Sequence, residues 1–379
     1  MDGDINLMNA IVIADDHYNG LGVIRSLGEK NINIYLILLT EGRSFIDKSK
    51  YVTKLYKIKK DKMVILDTIR LIINPNENYA VLPLSDFSAL FCDEYYDKMP
   101  QNVVMPNAKG KLNILENKYI MANIAQDVGL TIPKHIEIKL KEGISFEWEI
   151  YPAIIKPILS VEGLKSDISI VNNYSELMET LKDFSIKGYE RVLLEEYITG
   201  NEEYMIEVLG YVNSSGESVF SNIICKIREF PIKNGSTAYA YFIDSHNGID
   251  EKKLNLFIKK CGYFGLFDFE FKYADGKVYF IEVNFRNGAP SYASTLSGLN
   301  IPYCWILNKE KSSKLRKKFT FMCEQNDVIN MLKGEVGFAN WLKQFISSKK
   351  IFWNWKDFKP ILIYYYYYFI LQILRRKRK

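Results

Sequence analysis

The sequence predicts a mixed α/β (α+β) protein of more than one domain, and three observations support this class. The apolar run 9–14 is followed by a glycine-bearing turn, an amphipathic segment 23–30 and a second apolar run 34–39, an order typical of a parallel α/β sheet. The middle of the chain alternates apolar and polar residues, which predicts strands. After Pro302 the chain becomes helical and basic. With 379 residues and 48% hydrophobic content, two or three domains can each form a core.

Charge and cysteine content exclude several classes of protein. The net charge is +5, and the last five residues, 375–379, are all basic, so the remainder is about neutral and nothing indicates a nucleic-acid-binding body. Five scattered cysteines without a Cys-x-x-Cys pair indicate reduced thiols of a cytosolic protein, neither a zinc site nor a disulfide framework. The acidic start, 1–4, does not resemble a signal peptide. We therefore expect a cytoplasmic location.

The segment 264–288 predicts a β-hairpin in which two alternating runs flank Asp275-Gly276. A two-residue turn would pair Glu270 with Ile281 and place the two glutamates of the hairpin on opposite faces. A three-residue loop with Gly276 left-handed would pair Glu270 with Phe280 and bring every apolar side chain to one side. Because one apolar face must be buried, we expect the three-residue loop.

The opposite face of this hairpin would be strongly polar. Its members would be Asp268, Glu270, Glu282, Asn284 and Arg286. Converging oxygen ligands without cysteine or histidine suit Mg²⁺, which shares its coordination with phosphate oxygens. Arg286 would then meet the phosphate. The alternative is a solvated face with ordinary cross-strand ion pairs.

Two lysines upstream are candidates for binding that phosphate. Lys118 would stand in the first turn of a helix ended by Gly129, where solvent exposure is the ordinary alternative. Lys156 ends the apolar strand 151–157, and burying its charge requires an anionic partner. The segment 158–166 contains one glycine and could cover a triphosphate with backbone amides.

The segment 191–210 predicts a strand, a polar hinge at Gly200 and a second strand. A carboxylate here could accept from an adenine amino group, the hinge amides could contact the ring edge, and a second acid could bind ribose hydroxyls. The alternative is a hairpin with surface glutamates. In the following strand, 221–228, Lys226 and Arg228 would share one face.

These elements, in this order, resemble the ATP-grasp superfamily of carboxylate–amine ligases, and residues 285–291 are nearest to its D-aspartate ligase branch. The resemblance extends from the N-terminus to about Tyr303. It implies a Rossmann-like pre-ATP-grasp domain at 1–107 and a two-lobed ATP-grasp domain at 108–308, with the small lobe at about 130–198. The remaining residues, 309–379, would form a helical, aromatic and basic C-terminal appendage.

The resemblance also implies roles for individual residues. The ATP-binding positions fall on Lys118, Lys156, Glu195, Glu196, Ile198 and Glu202 or Glu203. The ligands of Mg²⁺, or of Mn²⁺ as the alternative ion, fall on Glu270, Glu282 and Asn284. Arg286 would stabilise the transition state leading to an acyl phosphate, and Lys226 and Arg228 are candidates for contacting phosphate or the acyl intermediate.

The activity implied by the resemblance is ATP-dependent amide formation between a small-molecule carboxylate, for example an amino acid, and an amine. The amine would belong to a cell-envelope precursor or a polysaccharide. A membrane-associated ATP-binding protein without ligase turnover is the alternative. A dinucleotide-dependent oxidoreductase is a third candidate, but it rests only on the N-terminal turn, which lacks the G-x-G-x-x-G pattern.

The C-terminal tail contains a 14-residue apolar and tyrosine-rich run, 361–374, directly before the five basic residues. This run is shorter than the roughly 20 residues that span a bilayer. Tyrosine favours the membrane interface and a polybasic end attracts anionic lipid. One hypothesis is that the tail makes peripheral contact with the inner face of the membrane. The alternative is a helix docked on the body with a solvated basic end.

Overall fold

Three β-sheets, each formed by a different part of the sequence, organise the chain in the computed structural model. The structure describes residues 8–141, 146–159, 167–200, 202–232, 235–309 and 318–376, with side chains described as far as 367. Most of the expected loop over the triphosphate, 158–166, lies outside the described residues.

The N-terminal part is a five-stranded parallel sheet, as the sequence predicts. Its strand order is β3-β2-β1-β4-β5, and the apolar run 9–14 forms its buried central strand. Helices cover both faces of the sheet, which explains why its central strands are apolar on both sides. The strands are β1 (Met8–Ala14), β2 (Ile34–Leu38), β3 (Lys54–Lys57), β4 (Asn78–Pro83) and β5 (Val103–Val104). The helices are α1 (Tyr18–Gly28), α2 (Lys62–Ile72), α3 (Asp86–Tyr95) and α4 (Leu112–Leu115).

A four-stranded antiparallel sheet of order β6-β9-β7-β8 follows. One face packs against Leu177, Leu181 and Phe184 of a covering helix, and the other face borders the cleft described below. Helix α5 (Lys118–Asp127) precedes this sheet and ends before Gly129, as predicted. The strands are β6 (His135–Lys139), β7 (Ala153–Pro157), β8 (Ser169–Val171) and β9 (Arg191–Glu196), and the covering helix is α6 (Tyr174–Ile186).

The largest sheet has seven strands in the order β14-β13-β10-β11-β12-β15-β16. Its phenylalanine-rich face packs against α5 and α7 around Phe257 and Phe269. The strands are β10 (Glu203–Val212), β11 (Ser218–Phe230), β12 (Ser236–Ile243), β13 (Leu266–Ala274), β14 (Lys277–Asn284), β15 (Phe319–Met322) and β16 (Lys349–Lys350). The helices that follow β12 and β14 are α7 (Glu251–Cys261), α8 (Ser291–Ser297) and α9 (Ile301–Ile306).

The predicted three-residue hairpin loop is wrong. Ala274 pairs with Lys277, so Asp275 and Gly276 form a two-residue turn, both with positive φ, as suits the twist of a hairpin. The alternation is restored by a β-bulge beyond Phe271, after which Glu270 faces Glu282 directly. The bulge thereby keeps the phenylalanines in the core and gathers the predicted polar face.

The C-terminal region contains three helices, α10 (Glu324–Leu332), α11 (Phe338–Ser347) and α12 (Lys359–Arg376), and two short strands, β15 and β16, that extend the large sheet. The first turns of α12 dock on the N-terminal domain: Ile361 is buried and the ring of Tyr364 packs edge-on against Phe45 and Phe352. No described helix has the length and hydrophobicity needed to cross a membrane.

A fully buried ion pair fixes this C-terminal region to α1. Arg25 Nε donates to Asp357 Oδ2 at 3.0 Å, and its other nitrogens donate to the carbonyls of Phe352 and Asp357. Asp357 also accepts from Ser49 Oγ and from the Lys50 amide. The pair has no exposed surface that could hydrate either charge, so each charge depends on the other.

Replacing Asp357 with alanine is expected to destabilise the protein by about 3 kcal/mol, because Arg25 would remain buried without its counter-charge. Urea unfolding followed by tryptophan fluorescence measures this effect, since Trp353 and Trp355 flank the site. Asp67→Ala is the matched control, because its pair with Arg70 is exposed and such pairs contribute little. Equal effects of the two substitutions would contradict this account of the ion pair.

Candidate active site

A cleft of about 290 Å³ lies between the four-stranded sheet and the polar face of the seven-stranded sheet. Side chains from β7, β9, β10, β11, β13 and β14 and from the start of α5 converge on it. The charged residues that line it are Lys118, Lys156, Glu195, Glu196, Glu207, Lys226, Glu229, Asp268, Glu270, Lys272, Glu282 and Arg286. Most of the predicted site residues are therefore brought together in one cavity.

The hairpin supplies a hydrogen-bonded row of polar side chains. Asn284 Nδ2 donates to Glu270 Oε1 at 3.1 Å, and Arg286 Nη2 donates to Asn284 Oδ1 at 3.1 Å. Arg286 Nε also donates to Asp86 Oδ1 at 2.6 Å, which joins the row to the N-terminal domain. Burial disfavours the charge of Arg286, but Asp86 outweighs this effect and raises the pKa of the guanidinium. The row therefore keeps its positive end charged.

Lys118 lies between the hairpin and the end of β7, and it contacts both. Its Nζ lies 3.6 Å from Glu282 Oε2, and its backbone amide donates to the Ile158 carbonyl. Asn117 caps α5 and so fixes where Lys118 stands. Burial opposes ionisation of Glu282, but Lys118 and then Lys156 outweigh it and lower the pKa of Glu282. Glu282 is therefore an anion with two lysines beside it.

The four-stranded sheet contributes the opposite wall. Lys156 is buried at the end of β7 and its Nζ lies 2.9 Å from Glu195 Oε1 on the paired strand β9. This contact explains how an apolar strand accommodates a lysine. Glu196 Oε2 accepts from the Lys134 amide at the edge of the cleft. The apolar part of the wall is formed by Ile154, Ile168, Tyr197, Ile198, Met205 and Ile281.

Lys226 is buried among three carboxylates on the large sheet. Its Nζ lies 2.7 Å from Glu207, 3.5 Å from Glu229 and 3.7 Å from Glu270. Burial disfavours its charge, but Glu207 and the other acids outweigh this and raise the pKa of Lys226 well above its usual value. Sequence reasoning missed Glu207, although an acid within the otherwise apolar alternation 204–209 was a signal that could have found it.

Arg228 does not line the cleft. It lines a neighbouring pocket together with Glu202 and Glu203, and its predicted contact with phosphate or the acyl intermediate stays a prediction. A register shift in the pairing of β11 with β12 separates Arg228 from Lys226, so they do not continue a simple alternation along one face. The guanidinium of Arg228 makes two hydrogen bonds to Asp327 and lies over the ring of Tyr239. Because Asp327 belongs to α10, these contacts hold α10 against the sheet.

Glu202 and Glu203 lie in a neighbouring pocket that shares Tyr197, Met205 and Lys272 with the cleft. Glu203 Oε2 is 3.3 Å from Lys272 Nζ. Both acids thus stand beyond the apolar wall of the cleft, and the geometry does not select one of them as the predicted ribose contact.

The carboxylate oxygens of the cleft are arranged in a way that suits a divalent cation. Glu270 and Glu282 are direct cross-strand partners, an arrangement that is destabilising for like charges. Glu207 Oε2 and Asp268 Oδ1 are buried without a hydrogen-bond partner among the described residues. Oxygens of Glu207, Asp268 and Glu270 all lie within 4.8 Å of one another. Glu270 belongs both to this cluster and to the predicted metal ligands. Several carboxylate oxygens close together fit a hard cation such as Mg²⁺.

Comparisons with known proteins agree with this architecture. No family model matches the chain. The chain is 22% identical to the D-aspartate ligase of Enterococcus faecium (strain Aus0004) over 245 residues, which are 60% of this chain and 57% of that protein. The matched segment therefore spans little more than half of that relative.

Two solved structures share the fold at low identity. N5-carboxyaminoimidazole synthetase from Staphylococcus aureus, complexed with ADP, superposes with a TM-score of 0.64 and 14% identity over 88% of this chain and 86% of that chain. L-amino acid ligase from Bacillus licheniformis gives a TM-score of 0.59 and 16% identity over 79% of this chain and 73% of that chain.

The chain shares the ATP-grasp fold of these solved structures, which confirms the fold class predicted from the sequence. Within this class its sequence is similar to that of a D-aspartate ligase, which confirms the resemblance to the carboxylate–amine ligases.

One carboxyl beside the cleft has a strongly perturbed protonation state. Glu116 precedes α5, is buried, and its Oε2 has no hydrogen-bond partner among the described residues. Burial, with a smaller contribution from Asp86, raises the pKa of Glu116 to about 8. The folded protein therefore holds a proton on Glu116 that the unfolded chain releases above its usual pKa of 4.5.

The stability of the protein should consequently fall by a few kcal/mol, in order of magnitude, as the pH rises from about 5 to about 8. Glu116→Gln, which mimics the protonated carboxyl, should remove this part of the pH dependence. Urea unfolding of both proteins across that pH range provides the measurement, and other titrating groups cancel in the difference. Parallel curves for the two proteins would show that Glu116 is ionised in the native state.

Proposed function

We propose that this protein is an ATP- and Mg²⁺-dependent ligase that forms an amide bond between a small carboxylate and an amine through an acyl phosphate. The observation that supports this most strongly is the meeting of Lys118 and Lys156 with Glu270 and Glu282 in one cleft with an apolar wall, next to Asn284, which donates to Glu270. Cations next to carboxylates are what a metal–triphosphate complex requires on its two sides. The relatives whose names denote ligases support the same reaction class.

In this proposal the nucleotide lies along the four-stranded sheet. Lys118 and Lys156 bind its phosphates, and Lys156 Nζ lies 2.9 Å from Glu195 Oε1 on the neighbouring strand. Glu195, Glu196 and the amide of Ile198 contact adenine against the apolar wall. Glu202 or Glu203 binds the ribose from the neighbouring pocket. The structural neighbour solved with ADP supports a nucleotide in a cleft of this fold.

Glu270, Glu282 and Asn284 would hold the Mg²⁺, with Mn²⁺ as an alternative ion of similar ligand preference. The ion supplies neutralisation of phosphate charge during transfer. The chain's own contribution is to orient the ligands and to keep Glu282 ionised: Asn284 is fixed between Glu270 and Arg286, and Lys118 next to Glu282 lowers the pKa of that carboxyl.

The reaction needs no protein nucleophile. A substrate carboxylate oxygen attacks the γ-phosphorus and ADP leaves with the electrons of the broken P–O bond. The amine then attacks the acyl carbon, the C–O bond to phosphate breaks, and the amine loses a proton as the amide forms. Arg286 and Lys226 are placed to stabilise the charge that develops on the transferred phosphoryl and acyl groups. Positioning and electrostatics therefore account for catalysis in this cleft.

The substrates proposed are an amino acid as the carboxylate and an amine of a cell-envelope precursor or polysaccharide, in keeping with the names of D-aspartate ligase and L-amino acid ligase. A location at the inner face of the membrane, near a lipid-linked substrate, belongs to the same proposal and is supported by the tyrosine-rich and basic C-terminus.

The proposed function is tested by incubating the protein with ATP, Mg²⁺ and mixtures of amino acids and amines, followed by mass spectrometry for amides and for ADP. The wild-type chain should form both products from at least one mixture. Glu282→Gln should lower turnover by at least about 1000-fold, since it removes an anionic metal ligand, while the melting temperature is retained. Glu179→Gln, on the exposed side of α6, is the control and should react as wild type.

Two results would count against this function. Equal turnover in Glu282→Gln and wild type would remove the metal assignment. Saturable binding of ATP without ADP formation in any mixture would favour the alternative of an ATP-binding protein that lacks ligase turnover.

A further inference from the structure

The charge of this protein is divided between two regions. Residues 309–379 contain 17 lysines and arginines against five acidic residues, a net charge of +12, so the preceding 308 residues have a net charge of −7 within the total of +5. The near neutrality of the whole chain therefore conceals an acidic body and a strongly basic C-terminal region. Only five of the 17 cations belong to the terminal run 375–379.

The folded structure increases this asymmetry at the surface. Three of the five acids are buried: Glu324 accepts from the amides of Phe352 and Trp353, Asp327 pairs with Arg228, and Asp357 pairs with Arg25. Most lysines of the described part remain outside, whereas Lys350 is partly buried. Those exposed to solvent are Lys309, Lys318, Lys333, Lys343, Lys349, Lys356 and Lys359. The surface of this region is thus positive almost without internal compensation.

Exposed apolar side chains are concentrated in the same region. Among the described residues, eight of the twenty exposed large hydrophobic side chains lie between Leu332 and Tyr366. Three of them, Phe338, Leu342 and Ile346, follow one another at four-residue spacing along α11 and so form a single stripe. Phe338 is 63% exposed and Ile346 is 73% exposed. Leu342 between them is 39% exposed, so the two ends of the stripe are open to solvent and its middle is partly covered.

The neighbouring face of α11 accounts for its attachment to the body. Trp341 packs in a small core with Tyr239 and Met322, and the ring of Phe345 stacks on Trp341. The stripe lies beside this packed face and is not part of that core. Trp355, 79% exposed, and Leu362 and Tyr366 of α12 add further apolar groups to the same basic region.

We propose that the C-terminal region is a peripheral membrane-binding surface in which the α11 stripe Phe338–Leu342–Ile346 inserts among the headgroups of an anionic bilayer and the surrounding lysines contact its phosphates. This surface extends the contact beyond the terminal tail, and it does not depend on the ligase activity. Isolated large apolar side chains alternating with lysines suit a fluid anionic interface. Interfaces between proteins, in contrast, are depleted in lysine.

The test is co-sedimentation of the full chain with vesicles of phosphatidylcholine alone and of phosphatidylcholine mixed with phosphatidylglycerol. The wild-type chain should bind the mixed vesicles, and added salt should weaken binding because the electrostatic part is screened. The triple variant Phe338→Ser, Leu342→Ser, Ile346→Ser should partition at least about tenfold more weakly, which corresponds to about 1.4 kcal/mol. Its melting temperature should not change, since the three side chains face solvent.

Two variants keep the result interpretable. Leu71→Ser with Ile186→Ser removes side chains that are 80% and 74% exposed on α2 and α6 of the body, and this control should bind as wild type. Replacing residues 375–379 with glutamine leaves the stripe intact and measures how much the basic tail contributes to vesicle binding.

Three outcomes would overturn the proposal. The first is an absence of vesicle binding by the wild-type chain. The second is binding by the triple variant that equals wild type, which would assign membrane contact to the tail alone. The third is sedimentation velocity without vesicles showing self-association that the triple variant abolishes while vesicle binding persists, because the stripe would then be an interface between two copies of this chain.

Discussion

Buried carboxylates paired with cations from other segments are the constraint on which the rest of this structure depends. Glu207, Asp268, Glu270 and Glu282 lie on adjacent strands of one sheet, and burying such a group without compensation is costly. The compensating cations are Lys118, Lys156, Lys226 and Arg286, which come from the start of α5, the four-stranded sheet and the large sheet itself. The cleft therefore exists only when these parts are assembled, and Arg286 joins the N-terminal domain to it through Asp86.

The sequence predicts the local features of this arrangement and not the contacts between residues that are far apart in the chain. Period-two alternation is local, and it identified the polar face of the hairpin and the unusual lysine at the end of β7. The same reasoning failed at the turn, because a two-residue turn with a bulge and a three-residue loop satisfy the same alternation. It also gives no sign of the register shift that separates Arg228 from Lys226 in the pairing of β11 with β12. Ion pairs such as Arg25–Asp357, 332 residues apart, and Arg228–Asp327, 99 residues apart, depend on tertiary placement and have no signal in a single sequence.

The attachment of the C-terminal region and the character of its surface have one electrostatic origin. Arg25 and Arg228 belong to the body, and each binds an aspartate of the C-terminal region in a pair that is wholly or largely buried. The acids of the C-terminal region that make these pairs therefore lie on its inner side, where Glu324 is also buried. Most of its described lysines stay at the outer surface, and Lys350 is the partly buried exception among them. A region attached through its few acids necessarily presents its many cations outward, so the same contacts that hold it in place also prepare it to meet an anionic surface.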